Sequence, residues 1–526
     1  MNKNLIFSFI ICVIFFITLE SVARFFTVPG AAHYIEQRIM EEGLTAQKPK
    51  GEYRVLMFGE STMHGNHLFP KSTIGKWVEL YLGNLIGPQQ AKHVKVVNLG
   101  RCGASSDYIS QAFFDTIAYK PDLVIFYTVH NDFIELENRQ LILNPKSLSV
   151  RMSDFFEMLL KKSCFVSAVK RMYIKIKMKR KKDKQMSRDS AMEWFDERTR
   201  APHNKNTDLL EPKGDDFGRV QAHWENNVKM IINVAQKNHI PVIFLEGAAK
   251  YKEYEPFESV HAKTLTDDQL MSWNKYYETA EEQFKNKNFA QAVISYKQSL
   301  EVDPEYALTY FRLGECFEQL SDYELAKKYY FLANEKDRFP IRAPGVVNQF
   351  YDQLAAQNLS AVHVVKTQEL FDQYSAYGMV DSDLILDQIH PTIKGQSLIA
   401  LEIVKWLSAK KEINSSLVWN WDQLESMEEL EQGLNIDRDF EFLVYIYSAR
   451  YVGRYNQKAI EYLKKALAIK PASIAAQSHL AWIYWSMGDE QEAIKLYRDL
   501  GPRDPAAATK FFGRHPEIAT KVNLEK

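Results

Sequence analysis

Five short apolar runs alternate with amphipathic helical stretches, and this alternation limits the possible folds more than any other feature of the sequence. The runs are rich in β-branched residues and lie at 54–58, 93–97, 122–127, 241–245 and 361–365. Runs that are apolar on both faces predict buried strands, and helices between them predict parallel connections. We therefore predict an α/β fold in which a parallel sheet forms the middle of three layers.

An internal repeat of 34 residues interrupts this pattern between the fourth and fifth runs and recurs after the fifth. The shift superposes Ala280 on Gly314, Ala292 on Ala326, Tyr296 on Tyr330 and Ser299 on Ala333, and later Ala459 on Ala493, Leu463 on Tyr497, Ala466 on Leu500 and Pro471 on Pro505. Small residues at fixed positions let antiparallel helices approach closely, and the proline ends the second helix. The pattern resembles the tetratricopeptide repeat, although an ordinary helical hairpin would also produce it.

These patterns divide the chain into segments. We predict an α/β domain in two parts, 50–265 and 341–412, with one repeat pair inserted at 270–340 and a second at 425–510. Residues 161–184 contain eleven Lys or Arg and a single Asp, interleaved with apolar residues. The segment 160–215 is therefore predicted to be a basic insertion, either a surface for anionic lipid or an acidic polymer, or a solvated extension.

The N-terminus carries a run of 15 residues, 5–19, that has no formally charged side chain and follows Lys3. Such a run predicts a signal anchor or a cleaved signal peptide within 1–27, and a buried helix is the remaining alternative. Ser21, Val22 and Ala23 would suit a signal peptidase. We expect a single-pass, membrane-anchored protein whose catalytic domain lies on the extracytoplasmic, periplasmic side.

The charge balance excludes one large class of partner. The 66 Lys and Arg residues are matched by 67 Asp and Glu, which leaves a net charge of −1. Nucleic-acid binding needs a basic surplus to neutralise phosphates, so we expect no nucleic-acid partner. The four cysteines are scattered and predict neither a disulfide framework nor a metal site.

Polar residues that could carry chemistry follow the first three predicted strands and a later loop. They are Ser61 after the first strand, Gly100 after the second, Asn131 after the third, and Asp387 with His390 near the end of the α/β domain. A serine hydroxyl becomes a nucleophile when an imidazole takes its proton and a carboxylate orients that imidazole. Backbone and side-chain N–H donors can then stabilise an oxyanion. The set predicts acyl transfer.

The blocks Gly59-Glu60-Ser61, Gly100, Asn131-Asp132 and Asp387-x-x-His390, in this order, resemble those of the SGNH (GDSL-type) hydrolase superfamily. The resemblance implies Ser61 as nucleophile, His390 as base and Asp387 as its orienting acid. It implies an oxyanion hole made by Ser61, Gly100 and Asn131.

Two positions depart from the family pattern, and two others are weaker candidates for binding. Glu60 replaces the usual Asp, and Val129 replaces a Gly, which could narrow the cleft. The segment 339–344 resembles large bacterial envelope proteins that combine this hydrolase domain with tetratricopeptide repeats, and the resemblance implies Arg342 as a substrate-binding cation, with a helix-start salt bridge as the alternative. His130 is predicted to face the substrate, with a packing role as the alternative.

The sequence therefore predicts a serine-dependent ester hydrolase that acts on acyl or acetyl esters of a carbohydrate or lipid in the cell envelope, with no cofactor or metal. An acyltransferase with the same triad is the first alternative, since exclusion of water decides the acceptor. A catalytically inactive domain that serves as a binding scaffold is the second. The repeats are expected to bind a protein or polymer, and the N-terminal segment a membrane.

Overall fold

The computed structural model describes residues 33–134, 139, 142–143, 169, 172, 209–414, 416–452 and 456–500. These residues form two compact units. The first includes the chain up to Asn66 and Thr73–Leu424, and the second includes His67–Ser72 and the chain from Glu425 onward. The predicted N-terminal membrane segment and most of the predicted basic insertion lie outside the described residues.

The first unit contains a five-stranded sheet. Its strands are β1 (Tyr53–Gly59), β2 (Val94–Asn98), β3 (Leu123–Tyr127), β4 (Val242–Leu245) and β5 (Val362–Val365). They pair in the order β2-β1-β3-β4-β5, and every pairing is parallel. The register places Leu56 beside Val97 on one side and Val124 on the other. The predicted parallel sheet is confirmed.

Helices connect the strands of this unit. They are α1 (His33–Glu41), α2 (Ser61–His64), α3 (Ile74–Ile86), α4 (Pro88–Ala91), α5 (Ser106–Thr116), α6 (Asn131–Ile134), α7 (Asp215–Lys237), α8 (Asp267–Lys285), α9 (Phe289–Val302), α10 (Ala307–Gln319), α11 (Tyr323–Lys336), α12 (Gly345–Ala356), α13 (Thr367–Gln373) and α14 (Ile393–Lys410), with 3-10 turns at Ile117–Tyr119, Ala376–Gly378 and Trp421–Gln423.

Strands β1, β3 and β4 are buried along their whole length, which shows that helices cover both faces of the sheet. One group pairs α3 with α14, where the hydroxyls of Tyr81 and Ser397 lie 2.6 Å apart. Another brings α7 against α5 and α12, where the Trp224 ring packs edge-on against Tyr351 at 5.5 Å. Among the described residues, no helix has both the length and the apolar character needed to cross a bilayer.

Helices α8–α11 form two consecutive helical hairpins between β4 and β5. The positions related by the 34-residue shift form their core, since Ala280, Ala292, Tyr296 and Ala326 are fully buried. Gly314 shows why small residues are needed: a Cβ there would lie 2.6 Å from the Tyr330 ring. The sequence repeat therefore reflects the contact between antiparallel helices.

The second unit has the same construction. Its helices are α15 (Met427–Glu431), α16 (Arg438–Tyr451), α17 (Asn456–Ile469), α18 (Ile474–Ser486) and α19 (Glu490–Leu500), with a 3-10 turn at Gln432–Leu434. The small residues Ala459, Ala466 and Ala493 and the side chain of Leu463 are fully buried between these helices. The domain boundaries given in the sequence analysis stay predictions.

Candidate active site

Ser61 begins helix α2 directly after strand β1, so the chain turns sharply between them. Gly59 makes that turn possible, because a Cβ there would lie 2.5 Å from the carbonyl oxygen of Tyr127 and 2.6 Å from the Cβ of Met63. Ser61 is 6% exposed. Since the first N–H groups of a helix have no acceptor within it, helix α2 itself does not use the Ser61 N–H.

Ser61, His390 and Asp387 form a continuous hydrogen-bonded chain. The Nε2 atom of His390 lies 2.8 Å from the Ser61 Oγ, and its Nδ1 lies 2.7 Å from the Asp387 Oδ2. His390 and Asp387 are each only 1% exposed. An imidazole that donates from Nδ1 to a carboxylate presents an unprotonated Nε2, which is the tautomer that can accept the serine proton. The three predicted triad residues are thus brought together.

A tight turn before α14 holds Asp387 and His390 in place. The Oδ1 of Asp387 accepts hydrogen bonds from the backbone N–H groups of Ile389 and His390, both at 2.9 Å. The Leu386 N–H donates to the His390 carbonyl at 2.8 Å and closes the turn. Thr392 then caps α14 by accepting from the Gly395 N–H. One carboxylate therefore orients the imidazole and also shapes the loop that carries it.

Gly100 lies beside α2, but its N–H is already used. A Cβ at this position would lie 2.5 Å from the His64 nitrogen, so only glycine permits the approach. The Gly100 N–H donates to the Asn98 Oδ1 at 2.9 Å, and the Asn98 Nδ2 donates to the Met63 carbonyl at 2.7 Å. The predicted oxyanion role of Gly100 stays a prediction, and it would require this N–H to leave or share its Asn98 acceptor.

Asn131, the first residue of α6, has a buried side chain, and its Nδ2 donates to the Ala104 carbonyl at 3.0 Å. An amide nitrogen carries two protons, so one N–H remains for an oxyanion. The neighbouring Asp132 carboxylate accepts from the backbone N–H and the hydroxyl of Ser106 at 2.9 and 2.6 Å. Burial raises the pKa of Asp132 to about 6. These bonds tie Asp132 to the start of α5 and so hold the backbone of the adjacent Asn131 in place.

Glu60 holds the same segment through the two residues that precede Asn131. Its carboxylate is fully buried and accepts from the backbone N–H groups of Val129 at 2.7 Å and His130 at 2.9 Å. Burial, with the nearby Asp132 charge, raises the pKa of Glu60 to about 8. The Val129 side chain is buried, and its Cβ and Cγ2 lie near Gly247. Val129 thus packs against a glycine on the loop after β4.

Two histidines near the triad remain neutral. The Nδ1 of His130 accepts from the Ala343 N–H at 3.0 Å, which places the proton on its buried Nε2. Burial and the nearby His390 lower the pKa of His130 to about 3. Burial, followed by the charge of Arg38, lowers the pKa of His64 to about 4. Neither ring adds a positive charge that would oppose protonation of His390, and substrate contact by His130 stays a prediction.

Arg342 lies in the interior of the first unit. It is 2% exposed, and its Nε donates to the Asn334 Oδ1 at 3.0 Å. Its Nη1 donates to the carbonyl of Tyr254 at 2.9 Å and lies 3.3 Å from that of Tyr251. These contacts tie helix α11 of the inserted repeats to the loop after β4. The placement describes a structural cation, and the substrate-binding role suggested by the sequence has no support from it.

Arg101, which the sequence analysis did not single out, is an exposed arginine on the loop that is bonded to the end of β1. Arg101 directly follows Gly100, and its N–H donates to the Gly59 carbonyl at 2.9 Å. Its guanidinium lies over the rings of Tyr108 and Tyr34. Its position directly after a predicted oxyanion residue could have indicated it. The contact with Tyr34 of helix α1 could not be predicted from the sequence.

Comparison with known proteins identifies the repeats. Two tetratricopeptide repeat family models match, one over residues 277–333 and one over residues 455–509. The predicted tetratricopeptide repeats are therefore confirmed in both places. No curated protein matches the chain in sequence.

Several solved structures are similar to this chain. A GDSL-like lipase from Bacteroides thetaiotaomicron is 11% identical at a TM-score of 0.28 and covers 72% of this chain and 98% of its own. A Bacteroides fragilis protein described as an acylhydrolase is 14% identical at a TM-score of 0.28 and covers 71% and 96%. A tetratricopeptide protein from Thermus thermophilus is 14% identical at a TM-score of 0.14 and covers 47% and 99%. At these values the neighbours assign neither activity nor substrate.

Proposed function

We propose that this chain is a serine-dependent ester hydrolase of the SGNH type. The observation that carries the proposal is the buried chain from Asp387 through His390 to Ser61, with contacts of 2.7 and 2.8 Å. A serine hydroxyl, an imidazole in the accepting tautomer and a carboxylate that fixes it are the parts that acyl transfer requires. A packing role alone would not call for a hydroxyl at the serine end of these hydrogen bonds.

The reaction follows from these contacts. The Ser61 Oγ attacks the ester carbonyl carbon while its proton passes to the His390 Nε2, which forms a tetrahedral intermediate with a negative oxygen. Collapse of that intermediate breaks the bond to the alcohol oxygen, which takes the proton from His390. A water then attacks the acyl-serine with His390 again as base, and the carboxylic acid leaves as Ser61 recovers its proton.

Donors for the negative oxygen are available at the same edge of the sheet. The Ser61 N–H is the first of its helix, and Asn131 has a second N–H beyond its bond to Ala104. Each such donor contributes on the order of 3–4 kcal/mol to the transition state in enzymes of this type. Glu60 supports Asn131 indirectly, because it binds the two preceding backbone N–H groups.

The proposed substrates are acyl or acetyl esters of a carbohydrate or lipid in the cell envelope. This part of the proposal rests on the apolar run at 5–19, which would place the domain outside the cytoplasm as a single-pass anchored protein. Tetratricopeptide repeats indicate a protein partner. We propose that the repeats bring the hydrolase domain to that partner or to a polymer.

The test uses the full-length chain in a non-ionic detergent with p-nitrophenyl acetate and a fluorophosphonate probe. We expect turnover and labelling in the wild type and in Ser110→Ala, whose hydroxyl bonds only within helix α5. Both signals should vanish in Ser61→Ala and His390→Ala. A folded wild type with neither signal would overturn the proposal in favour of a binding scaffold. Release of acyl groups only when a sugar acceptor is added would identify an acyltransferase.

A further inference from the structure

Arg101 is an exposed residue whose backbone is bonded to the end of the strand that precedes the nucleophile. Its backbone N–H donates to the Gly59 carbonyl at 2.9 Å, two residues before Ser61. The preceding residue, Gly100, packs against α2 so closely that a Cβ would meet its backbone. The loop that carries Arg101 is therefore held against the segment that carries the catalytic serine.

Two tyrosines hold the guanidinium in position. Its central carbon lies 4.6 Å from the ring centroid of Tyr108 and 5.9 Å from that of Tyr34. Tyr34 is itself tied to the same loop, since its hydroxyl donates to the Gly100 carbonyl at 2.9 Å. Guanidinium groups bind aromatic faces favourably. The arrangement limits the rotamers of a side chain that would otherwise move freely.

Within the described part of the chain, no carboxylate forms an ion pair with the Arg101 guanidinium. The nearby Arg38 provides a contrast, since it pairs with Glu41 at 3.0 Å and Glu42 at 2.8 Å and also donates to the Asn98 carbonyl. Two arginines thus lie against the same loop: Arg38 is buried and ion-paired, and Arg101 is exposed and has no ion pair among the described residues.

We propose that Arg101 binds an anionic group on the substrate and so determines specificity for negatively charged esters. The planar fork of an arginine matches the oxygens of a carboxylate or a phosphate, and both chemistries fit the same donor edge. The anion belongs either to an acidic sugar or to a lipid headgroup. This inference rests on the proposed function, because it names the substrate class of that same site.

The test compares three acetyl esters of one size: 4-acetoxybenzoate, 4-acetoxyphenyl phosphate and the neutral methyl 4-acetoxybenzoate. The measured quantity is the ratio of kcat/KM for each anionic ester to kcat/KM for the neutral ester, in the full-length chain. We expect Arg101→Gln to lower this ratio about tenfold or more, mostly through KM, and Arg101→Lys to restore part of it. The two anionic esters distinguish a carboxylate from a phosphate preference.

Lys237→Gln is the matched control. Lys237 is an exposed cation at the end of α7, before β4, and thus at the opposite edge of the sheet. The substitution Lys237→Gln removes one positive charge and leaves the Arg101 loop intact. Its ratio of kcat/KM for anionic to neutral esters should therefore equal that of the wild type. An equal fall in both variants would indicate a general charge effect, and an unchanged ratio in Arg101→Gln would overturn the inference.

Binding to Ser61→Ala separates this inference from the proposed function. Calorimetry with the same three esters should show tighter binding of an anionic ester than of the neutral one, and the difference should disappear in Ser61→Ala/Arg101→Gln. If the wild type turns over no ester but this preference holds, the hydrolase proposal fails and the anion site stands. If turnover occurs without any preference, the anion site fails and the hydrolase proposal stands.

Discussion

The Nε2 of His390 lies 2.8 Å from the Oγ of Ser61, although 329 residues separate them in the chain. The intervening chain includes strands β2–β5 and the whole inserted repeat pair. The contact forms because β1 ends two residues before Ser61 and the turn before α14 lies at the same edge of the sheet. In a parallel sheet the carboxyl ends of all strands lie at the same edge. Residues that are far apart in the sequence can therefore be neighbours at that edge.

Asp387→Asn should abolish most activity without unfolding the protein. The asparagine Oδ1 can still accept from the N–H groups of Ile389 and His390, so the turn survives. Its amide would face the His390 Nδ1 as a donor and force the proton onto Nε2, which then cannot accept from Ser61. We expect kcat for p-nitrophenyl acetate to fall about 10⁴-fold with an unchanged circular dichroism spectrum. Retention of a tenth of the activity would contradict the assigned role.

Glu60→Ala and Glu60→Gln should separate the shape of this side chain from its charge. Alanine leaves the buried N–H groups of Val129 and His130 without an acceptor, which costs roughly 1–3 kcal/mol each and displaces Asn131. The glutamine Oε1 can still accept from both. We expect Glu60→Ala to lower kcat about 10²-fold and Glu60→Gln to lower it much less. Steady-state kinetics of the two variants side by side decides the matter, and equal losses would refute a positioning role.

Glu60 also predicts how stability depends on pH. Burial raises the pKa of Glu60 from its ordinary 4.5 to about 8 in the folded chain. Between these values the unfolded chain has released the proton while the folded chain keeps it, so raising the pH favours unfolding. Asp132, whose pKa burial raises to about 6, adds to the effect.

Thermal unfolding of the wild type should therefore give a Tm that falls between pH 5 and pH 8. The fall should be smaller in Glu60→Gln, which has no proton to release. Identical pH slopes for the wild type and Glu60→Gln would show that Glu60 ionises normally in the folded protein.

Alanine at two glycine positions should change different properties of the protein. Gly100→Ala should lower activity, whereas Gly83→Ala should raise stability. In Gly100→Ala the new Cβ would lie 2.5 Å from the His64 nitrogen, and because backbone cannot yield cheaply, α2 and Ser61 must shift. We expect kcat to fall about 10²-fold. Gly83→Ala is the matched control: nothing lies within 4 Å of its Cβ, and alanine favours the helix by about 1 kcal/mol. Urea unfolding should show Gly83→Ala to be more stable than the wild type, with unchanged activity.

The residues that carry the chemistry could be predicted because each follows the end of a strand or begins a turn. Ser61, Asn131 and His390 are recognisable by residue type and place, since a parallel sheet brings such positions together. The hairpins of the repeats were equally predictable, because a period of 34 residues places Ala292 and Ala326 at the same contact. These are local patterns with one structural outcome.

Contacts between distant loops could not be predicted. The sequence gives no reason for the Gly100 N–H to bond the Asn98 side chain, or for Glu60 to reach the backbone of Val129. The sequence around Arg342 suggested a substrate-binding cation, because it does not reveal which distant groups surround the side chain. The carbonyls that surround it come from the loop after β4, and the packing of that loop against α11 is a tertiary property.

Arg342→Met tests whether that arginine is structural. Methionine preserves much of the volume but leaves the Tyr254 carbonyl and the Asn334 Oδ1 without their donor. Since each unsatisfied buried acceptor costs roughly 1–3 kcal/mol, we expect the free energy of unfolding to fall by about 2–4 kcal/mol. The ratio of kcat/KM for anionic to neutral esters should stay at the wild-type value, in contrast to Arg101→Gln. If Arg342→Met instead kept its stability and lost that ratio, the substrate cation would be Arg342, and the carbonyls around it would be a secondary support for a binding residue.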